Sequence, residues 1–188
     1  MYPRIHFFRS LDNRLLVGWA LFCMLLILPP YTQGADLTEN EIKAAFLFNI
    51  PAFVGWPRDG DGRLPPLRYC TLYAEEMSEL LERLIEGETL DGRTMELQRL
   101  SEGDSLLGCH ILYVAGDIAN LAEQPDLRNL LSVGDSETFL RAGGMVALVR
   151  RRNRIHPVVN LDAMEASPLV LSSKFLRLAT RIHPNEGE

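Results

Sequence analysis

The chain has 188 residues with 25 acidic and 19 basic side chains, a formal net charge of −6 at pH 7. This acidic balance argues against nucleic acid as the main partner, because nucleic-acid-binding domains carry a basic surface. The length is ordinary for one domain with one hydrophobic core.

The N-terminus has the order of features that is typical of a secretory signal peptide. Three arginines precede the apolar run 15–28, a Pro-Pro pair ends that run, and small residues follow. We therefore expect cleavage after Ala35, giving a signal peptide at 1–35 and one α/β domain at 36–188. The alternative is an uncleaved membrane anchor, although the run is shorter than the about 20 apolar residues that a spanning helix needs. Cleavage would remove three arginines and one aspartate, leaving 16 basic and 24 acidic side chains and a charge of −8.

The first predicted element after the leader is a helix over 42–56 that is apolar on nearly every side. Thr38 and Glu41 have the spacing of a capping box at its start. Pro51 predicts a kink, because proline removes one helical hydrogen bond and clashes with the preceding turn. Pro57 is expected to end the helix.

Strands and helices alternate along the rest of the chain. Their pattern predicts an α/β fold: a single layered domain with a mostly parallel central sheet flanked by helices, and a late antiparallel hairpin. Pro157 predicts that the second strand of this hairpin lies at a sheet edge. The predicted elements are a strand at 67–73, a helix at 75–86, a loop at 87–92, strands at 94–100 and 109–114, a weak helix at 118–131, a strand at 130–133, a helix at 136–140, hairpin strands at 145–149 and 154–161, and a helix at 172–182.

Two cysteines remain after removal of the leader, and each lies in a segment that reads as a buried strand. In an exported chain such a pair predicts a disulfide between Cys70 and Cys109. The alternatives are a metal pair and a catalytic thiol. Neither cysteine has a CxxC neighbour, and His110 is the nearby imidazole.

The residues that carry chemistry do not form a recognisable catalytic or metal-binding constellation. The histidines are scattered, without the spacing of a helical zinc pair. Asp135 and Ser136 precede a short predicted helix, where capping requires such residues. We therefore predict no enzyme activity, no metal and no cofactor.

Two groups of side chains are candidate partner contacts. Phe53 and Trp56 would form an exposed docking patch if they are not part of the core. Arg150, Arg151 and Arg152 cluster at the tip of the predicted hairpin, where they would contact an acidic partner or a lipid headgroup. The alternative for the arginines is a solvated turn.

Seven short sequence blocks follow one another along the predicted domain: AAFLFN at 44–49, FVGWP at 53–57, GRT at 92–94, CHILYV at 109–114, GGMV at 143–146, NLDA at 160–163 and LSSKFLRLA at 171–179. Taken in this order, they resemble the YfiR-like family of periplasmic proteins. The similarity extends from about residue 39 to residue 182, nearly the whole predicted domain.

The resemblance implies a non-enzymatic periplasmic regulator. Such a protein binds the periplasmic part of an inner-membrane signalling protein, typically a diguanylate cyclase, and holds it inactive, which lowers cyclic di-GMP. A second hypothesis is a small-ligand sensor that acts with a membrane histidine kinase, because layered α/β domains bind ligands at strand ends. A third is an enzyme that uses Ser136 or His110. The apolar first helix also predicts a homodimer, since it needs cover.

Overall fold

An eight-stranded sheet forms the centre of the part of the chain that the computed structural model describes, residues 37–57, 65–116 and 129–184. The described residues form ten strands, of which β1 and β9 lie outside this sheet. They are β1 (Val54–Gly55), β2 (Leu67–Leu72), β3 (Thr89–Leu90), β4 (Arg93–Leu100), β5 (Ile111–Val114), β6 (Leu131–Gly134), β7 (Val146–Arg151), β8 (Arg154–Asn160), β9 (Val170–Leu171) and β10 (Thr180–Ile182). The helices are α1 (Glu39–Asn49), a 3₁₀ helix (Ile50–Phe53), α2 (Glu75–Ile85), α3 (Glu137–Arg141), α4 (Leu161–Glu165) and α5 (Ser173–Leu178).

The strand order in the sheet is β10-β8-β7-β6-β5-β2-β4-β3. Neighbours from β7 to β4 run parallel, whereas β8 is antiparallel to β7 and β3 is antiparallel to β4. A separate two-stranded ladder joins β1 to β9. The predicted α/β fold, with a mostly parallel central sheet flanked by helices and a late antiparallel hairpin, is confirmed.

The two faces of the sheet carry two apolar clusters, because side chains alternate along each strand. On one face, here called the α1 face, residues such as Tyr69 and Ile111 pack under α1, α2 and α5. On the opposite face, here called the disulfide face, Cys70 and Leu112 pack with Phe139 of α3. Every residue of β5 and β6 is buried, as expected for strands covered on both faces.

The first helix is shorter than predicted, because the α-helix ends two residues before Pro51 and a 3₁₀ helix contains the proline. The capping box is confirmed: the Glu41 backbone N–H donates to Thr38 Oγ1 at 3.2 Å, and the Thr38 N–H donates to Glu41 Oε2 at 2.7 Å. The α-helix ends at Asn49, and the 3₁₀ helix takes over. Pro51 has no N–H to continue the α-helical ladder, and the chain changes to the tighter 3₁₀ form at this point.

Two hairpin turns use left-handed backbone angles. The loop predicted at 87–92 contains β3, which pairs with β4 through a tight turn at Asp91 and Gly92, with φ values of 51° and 79°. An Asp-Gly pair suits such a turn because both central residues need positive φ. The predicted turn between β7 and β8 has the same geometry, with φ of 48° at Arg152 and 63° at Asn153.

The C-terminal region differs from the predicted helix over 172–182. Helix α5 ends at Leu178, and β10 then runs parallel to β8, with Thr180 opposite Val158. The edge position predicted for β8 is therefore wrong where β10 covers it. Thr180 and Ile182 are β-branched, which favours a strand, and the outer edge of β8 supplies backbone partners. Helix α4 and strand β9 were not predicted.

Some predictions lie outside the described residues. These are the leader at 1–35, most of the connection after Pro57, and the weak helix over 118–128. Within the described part of the chain, no helix is long and apolar enough to cross a membrane.

Candidate partner-binding surface

An open apolar groove of about 320 Å³ lies beside α1 on the α1 face. The groove forms because helix α1 is apolar on two sides and only one of them packs against the sheet. Ala44 and Leu47 on one side are fully buried against the sheet, while Ile42, Ala45 and Phe46 on the other side line the groove. The complete lining is Leu37, Ile42, Ala45, Phe46, Asn49, Ile50, Phe53, Pro157, Phe175 and Leu178.

Large apolar side chains are exposed at this groove. Leu37 is 66% exposed and Leu178 is 69% exposed, and both belong to its lining. A contiguous apolar surface of this kind is typical of interaction sites. The groove is therefore the strongest candidate binding surface among the described residues.

The two aromatic residues predicted as a docking patch do not lie together in the groove. Phe53 lines it, with its ring centroid 6.0 Å from that of Phe175. Trp56 is half-buried, donates from its indole N–H to the Pro51 carbonyl at 3.2 Å, and meets the His110 ring edge-on. Trp56 therefore has intramolecular partners, and Phe53 is the better-placed contact.

The three predicted arginine contacts also separate. Arg150 faces the α1 side and pairs with Glu39 at 3.3 Å, beside a polar recess of about 140 Å³ that shares Leu37 and Ile42 with the groove. Arg151 points to the disulfide face and pairs with Glu137. Arg152 is exposed in the hairpin turn. Arg150 is thus the one of the three that lies next to the groove.

A buried lysine, which sequence reasoning missed, holds α1 to the end of β6. Lys43 is 5% exposed, and its Nζ lies 2.7 Å from Glu39 Oε1 and 3.6 Å from Asp135 Oδ2. The hydrogen bond from Lys43, together with its charge, lowers the pKa of Glu39. The spacing of Glu39 and Lys43, four residues apart on one helix, was the available signal.

Tyr113 lies in the same region, at the carboxyl ends of the parallel strands. Burial is the main cause that raises the phenol pKa of Tyr113 above its ordinary value. The negative charges of Asp135, Glu39 and Glu76 raise this pKa further. The tyrosine stays neutral at physiological pH. The ion pairs of Lys43 with Glu39 on its own helix and with Asp135 after β6 suit holding α1 in place.

The structure joins Cys70 and Cys109 in a disulfide, with 5.8 Å between the two Cα atoms. Cys70 is 1% exposed and Cys109 8% exposed, and both pack in the apolar cluster of the disulfide face. The bond is thus separated from the groove by the sheet. A bonded, buried pair supplies neither a metal ligand nor a nucleophile.

The residues considered for catalysis lie at opposite ends of the parallel strands. His110 precedes β5, and its Nδ1 accepts the Arg68 backbone N–H at 3.2 Å. Ser136 follows β6 and caps α3, with its Oγ accepting the Phe139 N–H at 3.0 Å. Within residues 37–57, 65–116 and 129–184 there is no group of three or more His, Cys, Asp or Glu side chains that could hold a metal ion.

Comparison with known proteins agrees with the family resemblance of the sequence. A family model described as YfiR/HmsC-like matches residues 40–180, which is most of the chain and spans every helix from α1 to α5. A search of curated proteins finds no match. The match extends from the capped start of α1 to the first residue of β10, so the chain belongs to the YfiR/HmsC-like family.

Proposed function

We propose that this protein is a periplasmic regulator without enzymatic activity. It binds the periplasmic part of an inner-membrane signalling protein, a diguanylate cyclase, and represses it, which lowers cyclic di-GMP. Membership of the YfiR/HmsC-like family supports this function. The predicted signal peptide at 1–35 supplies the route to the periplasm, where a disulfide such as Cys70–Cys109 persists.

The observation that carries this proposal is the exposed apolar groove along α1. Its lining is almost entirely apolar, and the leucines at its rim, Leu37 and Leu178, are two-thirds exposed. A monomer gains nothing from leaving such side chains in water, whereas a partner that covers them gains the free energy of their burial. A binding protein requires a surface of this kind.

The test is a comparison of three strains of the native host: unmodified, lacking this gene, and complemented with it. We expect cyclic di-GMP to rise without the gene and to return on complementation. In the complemented strain, cross-linking with a short membrane-permeant reagent should join the protein to an inner-membrane cyclase. Unchanged cyclic di-GMP, together with no cross-linked signalling protein, would refute the proposal. N-terminal sequencing of the native protein checks cleavage after Ala35.

A second candidate function is a small-ligand sensor that acts with a membrane histidine kinase. The groove volume of about 320 Å³ is within the range of small-molecule sites, on the order of 300–1,000 Å³. A ligand that binds there would stabilise the folded state by RT ln(1 + c/Kd) at a free ligand concentration c, so the melting temperature would rise with the logarithm of that concentration once it exceeds Kd. A screen of apolar metabolites by thermal shift, repeated with Ala45→Glu to block the groove, separates this function from the first.

Partner binding and self-association compete for the same surface. The predicted homodimer would also cover α1. Sedimentation of the purified protein over a range of concentrations distinguishes a dimer from a monomer.

A further inference from the structure

Charge is distributed unevenly along the described chain. Residues 37–57 and 65–116 carry 12 acidic and 5 basic side chains, whereas residues 129–184 carry 4 acidic and 8 basic side chains. Within the described residues, positive charge is therefore concentrated in 129–184. This segment includes Pro157 and the α5 residues Phe175 and Leu178, which line the groove.

Four cations near the groove have no ion-pair partner among the described residues: Arg154, Lys174, Arg177 and Arg181. Arg154 lies in the recess that continues the groove. Lys174 lies one helical turn before Leu178 at the rim. The register of β10 places Arg181 beside Val159, on the α1 face. Positive charge is thus available around an apolar centre.

The dimensions of the groove fit two turns of a helix. Its lining along α1 runs from Ile42 to Asn49, a rise of about 10 Å at 1.5 Å per residue. A helix lying along it presents two or three apolar side chains at spacings of three and four residues. Acidic side chains flanking that apolar stripe would meet the cations at the rim.

Two other occupants fit less well. A partner strand added to the open edge of β8 would meet Pro157, which has no N–H to donate to the ladder. A lipid surface is nearly flat and is contacted by protruding side chains, whereas the apolar side chains here line a concave site. The groove is therefore suited to a helix.

We propose that the groove binds an acidic amphipathic helix, about two turns of which contact α1 and α5, from the periplasmic part of the signalling protein. This inference rests on the proposed function and specifies the partner segment. The apolar stripe of that helix covers Ala45 and Phe46, and its carboxylates pair with Lys174, Arg177 and Arg181.

Site-specific photo-cross-linking of the full chain in the native host tests the proposal. Ala45, which is exposed on the groove wall, is replaced by benzoylphenylalanine, and the cross-linked segment is identified by mass spectrometry. Leu107, which is 82% exposed and remote from the groove lining, carries the same group as a control. The double variant Lys174→Glu/Arg177→Glu is compared with Arg83→Glu, a charge reversal on α2.

The expected adduct at position 45 contains a segment with apolar residues three and four apart and an excess of Asp and Glu. The double variant should reduce its yield about tenfold, as expected when two favourable charge pairs become repulsive, and Arg83→Glu should leave it unchanged. An adduct with lipid, with a second copy of this chain or with a basic segment would overturn the proposal. So would an unchanged yield in the double variant.

The photo-cross-link at position 45 tests the groove proposal, and the permeant cross-linker tests the proposed function. The two proposals can therefore fail separately. If the permeant reagent still joins the protein to the cyclase while position 45 gives no adduct, the groove proposal is wrong and the regulator stands. If neither reagent recovers a signalling protein, both are wrong. Circular dichroism melting of each variant guards against misfolding, and the exposed positions chosen here should leave the melting temperature within a few degrees.

Discussion

Removal of the Cys70–Cys109 disulfide should lower the free energy of unfolding by about 4 kcal/mol. The bond closes a loop with a sequence separation of 39 residues, and chain-entropy reasoning for a loop of that length gives about 4 kcal/mol at 25 °C. The bond joins β2 to the turn just before β5, and those two strands are already paired, with Cys70 opposite Leu112. The native sheet therefore persists without the bond, and most of the effect lies in the unfolded state.

Urea unfolding of three samples measures this difference: the oxidised protein, the same protein with a reductant, and the variant Cys70→Ala/Cys109→Ala. Linear extrapolation gives each free energy of unfolding. The reduced protein isolates the covalent bond, since it keeps both buried sulfurs. The alanine variant adds lost packing in the disulfide face, so it should be the least stable.

A loss of about 4 kcal/mol is a large share of the about 5–15 kcal/mol of a typical domain. The reduced protein should therefore unfold at a lower temperature and a lower urea concentration, and a bound partner would be released only from the molecules that unfold. Two outcomes contradict this reasoning: intact-mass analysis that finds two free thiols in the native protein, or a reduced form within about 1 kcal/mol of the oxidised form.

Two further predictions concern α1 and the turn after α3. Because Lys43 lowers the pKa of Glu39, the charged pair stabilises the protein above the ordinary Glu pKa of 4.5 and is lost as the pH falls through the lowered folded-state value. Lys43→Met should therefore be less stable than the unmodified protein at pH 7 and should lose less stability on acidification. Urea unfolding at several pH values between about 3 and 7 measures this. The same dependence of the free energy of unfolding on pH in both proteins would contradict the prediction. Gly144→Ala should cost about 1–3 kcal/mol, because an added Cβ would overlap the buried ring of Phe139. Gly55→Ala is the control, since its added Cβ would meet its nearest neighbour at 3.5 Å, an ordinary contact distance. Equal melting temperatures for the two variants would show that the Cβ at position 144 does not strain the packing of Phe139.

Local sequence signals predicted the elements whose boundaries depend on neighbouring residues. The capping box of Thr38 and Glu41 fixed the start of α1, and the alternation of apolar residues located β2, β4 and the hairpin of β7 and β8. The β3 hairpin was predictable from Asp91-Gly92, a strong signal for a tight turn. Strand β3 has only two residues, which is too short to show the alternation of apolar and polar residues that identifies a strand.

The elements that were mistaken depend on contacts distant in sequence. Residues 180–182 follow α5 and continue its helical spacing of apolar and basic residues, yet they pair with β8 because that strand has an open edge. In the same way, Val170–Leu171 form β9 because Val54–Gly55 lie beside them. Tertiary pairing outweighed local propensity at both places.

The candidate binding surface was only partly predictable for the same reason. Phe53 and Arg150 were selected by residue type, and both lie at the groove or its recess. The groove also requires Pro157 and Phe175, which are more than one hundred residues from α1 in the sequence. Composition reveals that α1 is apolar on two sides, but the fold alone decides which side faces the sheet.

The two apolar sides of α1 link binding to stability. Leu47 is fully buried in the core, and Phe46, its neighbour in the chain, lines the groove. A partner that binds in the groove therefore binds only the folded state and stabilises it by mass action. The disulfide acts on the other face of the sheet, so it stabilises the domain without contacting the partner. Groove variants should consequently change affinity with little change in unfolding, and disulfide variants should lower occupancy only by lowering the amount of folded protein.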